Sequence, residues 1–258
     1  MAVAAELNGG AEPWSEGGAL TGTEGRRVYA IGDIHGRDDL LARILARIDE
    51  DLIHWAGREK PVLVFLGDYV DRGLQSRAVV DRLLDLAETG RFDLRFLKGN
   101  HESALLDFLD NPAGGAAWLS FGGAETLFSY GVRAPALNAS ADDLKLAARA
   151  FAAALPGAHL AFFKSLALSA QIGGFVFVHA GLRPGRALED QDENDLLTIR
   201  DAFLNSRKRW PYVVVHGHTP VDAVQVDDRR IAVDTGAYAT GRLSAVRLDG
   251  DTIRVLNT

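Results

Sequence analysis

Apolar runs alternate with helical patterns along the first half of the chain. The segments "RRVYAIGDIHG", "PVLVFLGDYVDRG" and "LRFLKGNHE" each predict a buried strand that ends in a polar loop. The segments "DDLLARILARIDEDLIHW", "SRAVVDRLLDLAE" (with Ser76 as N-cap) and "SALLDFLD" predict the helices that follow. The apolar face of the first helix comprises Leu40, Leu41, Ile44, Leu45 and Ile48. Strand, loop and helix in this repeated order predict a largely parallel sheet.

The second half changes character twice. From about residue 103 to 170 the patterns are mainly helical, with a glycine-rich break, "NPAGGAAWLSFGGAETLFSYG", and we expect a helical cap or insertion there. Short strands return with "GFVFVHAG", "YVVVHGHTP", "RIAVDTGA" and "LSAVRLDGDTIRVL", the last with a hairpin turn at Asp249 and Gly250. These strands predict a second sheet with antiparallel pairs, packed on the first within one domain, residues 26–258.

The N-terminal residues 1–25 show no sustained period and are rich in Gly, Ala and Glu. We expect a mobile tail or an irregular edge segment, which Trp14 could anchor on the body. No basic start is followed by an apolar core, and no apolar stretch approaches the roughly 20 residues of a membrane span. The predicted location is therefore the cytoplasm, without a membrane partner.

Charge and cysteine usage limit the chemistry. The chain has 28 Lys and Arg against 35 Asp and Glu, a net charge of −7, which argues against a broad nucleic-acid surface. It has no cysteine, so disulfides, iron–sulfur clusters and a thiol nucleophile are excluded. Any metal must bind His, Asp, Glu or Asn, which suit Mn, Fe, Zn or Mg.

Ionisable and amide side chains follow the predicted strands at their carboxyl ends, where ligands bind in such sheets. They are Asp33, His35, Asp68, Asp71, Arg72, Asn100, His101, Glu102, His179, His216 and His218. This mixture of carboxylate, amide and imidazole is typical of paired divalent ions that hold water and phosphate oxygens.

The ordered motifs "GDIHG", "GDYVDRG", "GNHE", "HAGL" and "GHTP" resemble those of the calcineurin-like metallophosphoesterases. More narrowly, they resemble the phosphoprotein phosphatase family in its bacterial and phage form. Pro220 stands where many other superfamily members carry the second histidine of "GHxH", which narrows the resemblance to that branch. The resemblance covers about residues 27–248. It implies an α/β fold of two mixed β-sheets packed face to face and flanked by helices, a four-layer αββα sandwich.

The resemblance also implies residue roles. Two divalent cations, expected to be Mn²⁺ with Fe, Zn or Mg as alternatives, would be held by Asp33, His35, Asp68, Asn100, His179 and His218, with Asp68 as the bridge. His101 would be the general acid, oriented by Asp71. Arg72, Arg200 in "DLLTIRDAF" and Asn100 would bind the substrate phosphate. The implied reaction is in-line attack on phosphorus by a hydroxide that bridges both ions.

Other residues stay open at this stage. His216 has either a supporting role behind the ligands or a core role, and Glu102 either orients His35 or supports a neighbouring loop. Tyr238 in "DTGAYATG" is expected to pack rather than to line the substrate mouth. His54 and His159 are expected to lie outside the site.

Three functional hypotheses follow. The first is a Ser/Thr-type protein phosphatase that acts on phosphorylated proteins, peptides or small phosphoesters. The second is a symmetrical dinucleoside tetraphosphate hydrolase that also acts on RNA caps, a branch that typically carries "GNHD" and lacks an acidic residue before the arginine. Asp71 and "GNHE" therefore favour the first hypothesis. The third is a catalytically silent metal-binding module, which the complete set of ligands disfavours. The sequence predicts no oligomeric state.

Overall fold

The computed structural model describes residues 22–136, 138–250 and 252–258. Most of the expected N-terminal segment, including Trp14, lies outside these residues. Within the described part of that segment, Thr23 is fully buried. The Gly22 carbonyl accepts a hydrogen bond from the Gly174 N–H at 3.2 Å. The described end of this segment is thus attached to the second sheet.

The described residues form ten strands and ten α-helices. The strands, β1 to β10, are Arg27–Ile31, Val62–Phe65, Asp93–Phe96, Ser169–Ile172, Phe175–Val178, Val213–His216, Gln225–Val226, Arg230–Ala232, Ser244–Asp249 and Thr252–Asn257. The helices, α1 to α10, are Asp38–Leu52, Ser76–Glu88, Asn100–Asp110, Ala116–Trp118, Ala124–Ser129, Ala141–Ala154, Gly157–Ser165, Glu193–Thr198, Asp201–Leu204 and Ala237–Thr240. A π-helical turn, Leu119–Gly123, joins α4 to α5.

The first sheet has the strand order β10-β9-β1-β2-β3. Strands β1, β2 and β3 are parallel, as the βαβ pattern predicts. The predicted hairpin is confirmed by the antiparallel pairing of β9 with β10 and by the positive φ of Gly250. Our assignment of this hairpin to the second sheet is wrong. β9 instead belongs to the first sheet, where it pairs antiparallel with β1 on the side opposite to β2.

The second sheet has the order β4-β5-β6-β8-β7. Its central pairs are parallel, and antiparallel strands form both edges. The edge strands β4 and β7 escaped the sequence analysis. Both are short, "SAQI" and "QV", and lack the continuous apolar runs by which the other strands of this sheet were recognised.

Alternation of side chains along each strand builds four layers. Val28 and Ala30 of β1 face the second sheet and pack with Phe177 and Val215. Tyr29 of β1 faces the opposite way, into the core formed with α1, α2 and the helices after β3. The far face of the second sheet packs on α8 and α9. The predicted sandwich of two mixed sheets flanked by helices is confirmed.

The chain between β3 and β4 is helical, and its description as an insertion stays a prediction. Two local details differ from expectation. α3 begins at Asn100, so Asn100 and His101 lie in its first turn rather than in the preceding loop. α2 begins at Ser76 itself, after Gln75, and the Ser76 hydroxyl serves the candidate site instead of capping the helix.

Among the described residues, no single helix is long and apolar enough to cross a membrane. Helices α6 and α7 meet that test only as a pair, by length and composition, across a bend of 103°.

Candidate metal centre and acid dyad

The polar loops that follow the strands meet at one edge of the two sheets. β1, β2 and β3 run in the same direction and end together, as do β5 and β6 in the second sheet. Their loops bring together all six predicted metal ligands: Asp33, His35, Asp68, Asn100, His179 and His218. All but Asn100 are buried. This is the edge at which open α/β sheets bind ligands.

Backbone strain is concentrated in the same loops. Six non-glycine residues of the described chain have positive φ angles, and five belong to the site: His35, Asp68, Asp71, Arg72 and His218. Such a conformation costs a residue with a Cβ about 1–3 kcal/mol. It persists only where the surroundings enforce it, so these loops are shaped by the side chains that they must present.

Asp68 lies at the centre of the cluster. Its Oδ2 is 3.5 Å from Nε2 of His35, and its Oδ1 is 3.5 Å from Nε2 of His179. Burial alone would raise the pKa of Asp68, but the surrounding imidazoles, led by His179, outweigh burial and hold the pKa below its ordinary value. The ionised carboxylate thus faces imidazole nitrogens on two sides, as a bridging ligand requires.

Backbone carbonyls fix the tautomers of two imidazoles. Nδ1 of His35 lies 2.9 Å from the Val70 carbonyl oxygen, and Nδ1 of His179 lies 2.8 Å from that of Leu66. A carbonyl only accepts, so each Nδ1 carries the hydrogen and each Nε2 turns a lone pair towards Asp68. Burial lowers the pKa of both, to about 3 for His35, so both imidazoles are neutral ligands at neutral pH.

The donor atoms fit two cations. Two groups of three donors, each within 4.8 Å of one another, share Asp68: one adds His35 and His101, the other His179 and His218. Nε2 of His218 is buried with no hydrogen-bond partner in the described chain. Buried lone pairs that converge on one carboxylate are stabilised by a divalent cation among them. The hydrogen bonds to the other ring nitrogens are those that usually support ligating histidines.

Asn100 adds a further indication of a cation. Its Oδ1 lies 3.1 Å from Nε2 of His179, which is an acceptor in the tautomer that Leu66 fixes. Two acceptors at this distance repel unless they share a cation or the amide is turned to donate.

Asp33 lies beside these groups and not in either of them. Its carboxylate accepts the His218 N–H at 3.1 Å, and burial together with the carboxylates of Asp234 and Asp68 raises its pKa well above the usual range. Buried carboxylates this close are unfavourable unless a cation compensates them. Asp234 escaped the sequence analysis, although it follows the apolar strand of "RIAVDTGA" as the other site residues follow theirs.

His101 and Asp71 form a buried dyad. Nδ1 of His101 lies 2.6 Å from Oδ2 of Asp71. Burial alone would lower the pKa of His101, but the carboxylates of Asp68 and Asp71 outweigh burial and raise it to about 9. Cations bound to Asp68 would offset the charge by which Asp68 raises the pKa of His101. The hydrogen bond to Asp71 would then be the main interaction that keeps this pKa raised. His101 is therefore suited to hold a proton that it can donate.

Asp71 is fully buried and held by residues that the sequence analysis did not assign. Trp118 donates its indole N–H to Oδ2 of Asp71 at 2.9 Å, and Thr126 donates its hydroxyl to Oδ1 at 2.6 Å. The Ser76 hydroxyl accepts the Asp71 N–H at 3.1 Å. Both new residues belong to the glycine-rich stretch after α3, whose composition marks an irregular segment but does not point to Asp71.

Arg72 lies at the mouth of the site. Its Nη2 is 3.3 Å from Nε2 of His101, and its guanidinium lies 4.5 Å from the ring centroid of Tyr238. The Tyr238 ring also contacts His35 edge to face at 5.5 Å, and the residue is 41% exposed. The expected packing of Tyr238 is thus seen, against Arg72 and His35, and a role of its exposed part at a substrate mouth stays a prediction.

Arg200, the second predicted phosphate ligand, lies in the break between α8 and α9 and not inside a helix. Its side chain is exposed, with Nη1 3.5 Å from Oγ1 of Thr219. Thr219 directly follows His218, so this contact places the guanidinium on the His218 side of the cluster.

Glu102 supports a neighbouring loop, one of its two predicted roles. Its carboxylate accepts backbone N–H groups of Asp68, Tyr69 and Gly99 at 2.8–2.9 Å and that of Val70 at 3.2 Å. Burial raises the pKa of Glu102, while these four donors stabilise its ionised form. The carboxylate thereby fixes the strained backbone that presents Asp68.

The remaining histidines lie outside the ligand set. His216 is fully buried and packs edge to face on Phe203 at 5.1 Å, which favours the core role. His159 is buried between the Tyr130 hydroxyl and Asp81. His54 is exposed. The expectation for His54 and His159 is confirmed.

Comparison with known proteins agrees with this geometry. A model of the calcineurin-like phosphoesterase family matches residues 26–253. The chain is 25% identical over 243 residues to the asymmetrical bis(5'-nucleosyl)-tetraphosphatase PrpE of Geobacillus sp. strain WCH70, covering 86% of this chain and 90% of that protein.

Two solved structures share the fold. A provisionally assigned diadenosine tetraphosphatase superposes with a TM-score of 0.62 at 23% identity, covering 90% of this chain and 94% of its own. A serine/threonine phosphatase from Saccharomyces cerevisiae superposes with a TM-score of 0.51 at 19% identity, covering 90% of this chain and 79% of its own.

Proposed function

The chain belongs to the calcineurin-like phosphoesterase family and is a hydrolase of phosphoester bonds, and we propose that its substrates are phosphoserine or phosphothreonine residues. The observation that carries the proposal is the buried pair of His101 and Asp71 beside Asp68. A serine or threonine alkoxide is a strong base and leaves phosphorus readily only when it is protonated. A nucleotide leaves an anhydride as a weakly basic phosphate, and so depends far less on a general acid.

The family uses a dinuclear metal centre. We propose that Asp33, His35 and Asp68 hold one cation, and that Asp68 shares the second with the three ligands Asn100, His179 and His218. When bound, the two cations, for which we propose Mn²⁺, activate a water for in-line attack and neutralise charge that develops on the phosphate.

The other side chains handle the substrate. Arg72 and Arg200 each offer a planar fork of N–H donors to phosphate oxygens. Nη2 of Arg72 lies 3.3 Å from Nε2 of His101, and because a guanidinium only donates, Nε2 accepts in this arrangement. We propose that a substrate phosphate draws Arg72 away from this contact, so that its leaving oxygen takes the place of the guanidinium beside a protonated Nε2. His101 donates the proton from Nε2, while Asp71 keeps Nδ1 protonated and sets the direction of the ring.

Hydrolysis of dinucleoside tetraphosphates is the second candidate. It is favoured by the resemblance to the Geobacillus tetraphosphatase over 86% of the chain. The exposed ring of Tyr238 beside Arg72 also offers a surface on which a base could stack.

Initial rates distinguish the two candidates. The Mn²⁺-loaded protein would be assayed with a phosphoserine peptide, a phosphotyrosine peptide and diadenosine tetraphosphate under one set of conditions. We expect the highest kcat/KM for the phosphoserine peptide. A preference of about tenfold or more for the dinucleotide, equivalent to about 1.4 kcal/mol in the transition state, would reverse this order.

An Asp68→Asn variant serves as the control in the same assay. It removes the carboxylate charge that the cations share, so metal uptake and turnover should both be lost. Full turnover by this variant would contradict the proposed centre.

A further inference from the structure

Three side chains converge on the Asp71 carboxylate, and two of them come from the segment after α3. Oδ2 accepts two hydrogen bonds, from the Nδ1–H of His101 at 2.6 Å and from the indole N–H of Trp118 at 2.9 Å. Oδ1 accepts the hydroxyl of Thr126 at 2.6 Å. The orientation of this carboxylate is thus set by residues 116–129 as well as by the helix that carries His101.

The indole itself is fixed by packing. Trp118 is 3% exposed, and its ring lies 4.8 Å from that of Phe108 and 6.2 Å from that of Phe151. A Cβ at Gly123 would lie 2.5 Å from the indole ring, so a glycine is needed beneath it. Because the ring is buried among these close neighbours, its N–H is held in the direction of Asp71.

Thr126 holds Asp71 twice. Its hydroxyl donates to Oδ1 and also accepts the Asp71 N–H at 2.9 Å, in a fully buried environment. Asp71 has a φ of 73°, a strained value for a residue with a side chain. The two bonds from Thr126 therefore fix both the backbone and the carboxylate of this strained residue.

These donors also specify a protonation state. The indole N–H of Trp118 can only donate, so the Asp71 oxygen that it contacts must accept. Because the Thr126 hydroxyl receives the Asp71 N–H, its own hydrogen is free to point at Oδ1. Both carboxylate oxygens of Asp71 therefore accept hydrogen bonds, so Asp71 is ionised and the proton between the two residues is bound to Nδ1 of His101.

We propose that Trp118 and Thr126 are positioning residues for the general acid, which hold Asp71 so that His101 stays aligned with the leaving oxygen. This inference rests on the proposed role of His101. A purely structural role of the two residues would instead impair all substrates to the same extent.

The test compares leaving groups on the metal-loaded enzyme. Trp118→Phe keeps an aromatic ring and removes the indole donor, whereas Thr126→Val keeps the shape of the side chain and removes both hydrogen bonds of the hydroxyl with Asp71. We expect kcat on a phosphoserine peptide to fall about tenfold or more, a part of the full general-acid contribution. On p-nitrophenyl phosphate, whose leaving phenolate needs little protonation, we expect kcat to stay within about twofold.

Two further variants are controls. Trp55→Phe removes an indole beside Arg27, at the start of β1 and at the opposite end of the sheet, and should leave both rates unchanged. Thr126→Ser keeps the hydroxyl donor and should restore the rate on the peptide. If Trp118→Phe fails to fold in a thermal unfolding scan, the pair of Thr126 variants decides.

Equal losses on both substrates, or no loss on either, would overturn the inference. A wild-type enzyme that turns over neither substrate would refute the proposed function and this inference with it. Normal turnover by the wild type with equal losses in the variants would refute the inference alone.

Discussion

Nδ1 of His101 lies 2.6 Å from Oδ2 of Asp71, and both side chains are buried. The first residue belongs to the first turn of α3, and the second to the strained loop that follows β2. Their contact therefore couples two consecutive strand ends of the sheet. It also leaves Nε2 of His101 as the ring nitrogen that lies beside Arg72.

Replacement of the proposed general acid, His101, should lower kcat most for substrates whose leaving group must be protonated. In His101→Asn, kcat on a phosphoserine peptide should fall about 10²–10⁴-fold, because an alkoxide must be protonated as it leaves. The loss on p-nitrophenyl phosphate should be much smaller. Steady-state measurements of kcat for wild type and variant on both substrates give the loss on each substrate and the ratio of the two losses. His54→Asn, at an exposed histidine, is the matched control, and equal losses in His101→Asn would argue for a metal-binding role instead.

Glu102→Gln should loosen the loop that presents Asp68. The carboxylate accepts four backbone N–H groups, whereas a glutamine turns an NH₂ group towards two of them. Each unpaired buried N–H costs about 1–3 kcal/mol, so the free energy of unfolding should fall by several kcal/mol. Urea unfolding of the metal-free protein measures this loss, and Mn²⁺ titration should show weakened binding.

Glu88→Gln, at an exposed glutamate of α2, is the control and should be neutral. If Glu102→Gln were as stable as the wild type, the carboxylate would not be what holds this loop.

Gly122→Ala should displace Arg72. Gly122 has a φ of 115°, and its carbonyl accepts the Arg72 N–H at 3.3 Å. An added Cβ would overlap the Arg72 backbone and lie 2.8 Å from its Cγ. Because small misplacement of a binding group can cost about 10²-fold, kcat/KM should fall by about 10–100-fold, mainly through KM.

Gly131→Ala separates backbone strain from displacement. Gly131 has a φ of 77° and nothing within 4 Å of an added Cβ, so that variant should lose some stability but keep its KM. An unchanged KM in Gly122→Ala would mean that Arg72 does not depend on this contact.

Much of the first sheet and most of the candidate site could be predicted from sequence. Asp33, Asp68 and His179 were recognised because each lies within three residues of the end of an apolar strand, and the carboxyl ends of parallel strands meet at one edge of a sheet. The same rule applies to Asp234, which was overlooked because the "DTGA" segment was read only for Tyr238. The periodic helix "DDLLARILARIDEDLIHW" was equally recoverable, since its buried face recurs at helical spacing.

Other features have no local signal. The pairing of β9 with β1 joins residues more than two hundred positions apart. The segment "LSAVRLDGDTIRVL" predicts a hairpin but does not indicate which of the two sheets it joins. The bonds from Trp118 and Thr126 to Asp71 depend on how a π-helical turn orients two short helices. The contact of Tyr238 with Arg72 joins two loops that are distant in sequence, so neither loop alone indicates it.

The pH dependence of stability should be set in part by Asp51, far from the metal centre. Asp51 lies in the last turn of α1 and accepts hydrogen bonds from the Tyr29 hydroxyl at 2.6 Å, from Arg254 at 2.7 Å and from Arg247 at 3.0 Å. Burial alone would raise the pKa of Asp51, but these hydrogen bonds, led by that of Tyr29, outweigh burial and lower it. The carboxylate thereby ties α1 to β1, β9 and β10.

A lowered pKa in the folded state fixes the sign of the effect. Near and below the unfolded-state pKa of about 3.9, the unfolded chain takes up a proton that the folded chain refuses, so stability falls as the pH falls. The contribution of Asp51 is thus complete above about pH 5 and is lost progressively in more acidic solution. In Asp51→Asn, unfolding should be easier by about 1–3 kcal/mol at pH 7, and the difference from the wild type should shrink towards pH 3.

Urea unfolding of both proteins between pH 3 and pH 7 measures this difference. Asp49→Asn is the control, because Asp49 pairs with Arg91 in solvent, where an ion pair contributes only about 0–1 kcal/mol. If the difference in the free energy of unfolding between wild type and Asp51→Asn stays constant over this range, the ionisation of Asp51 makes no contribution to stability. A difference that widens in acid would mean that the folded-state pKa is raised, because only then does protonation favour the folded chain.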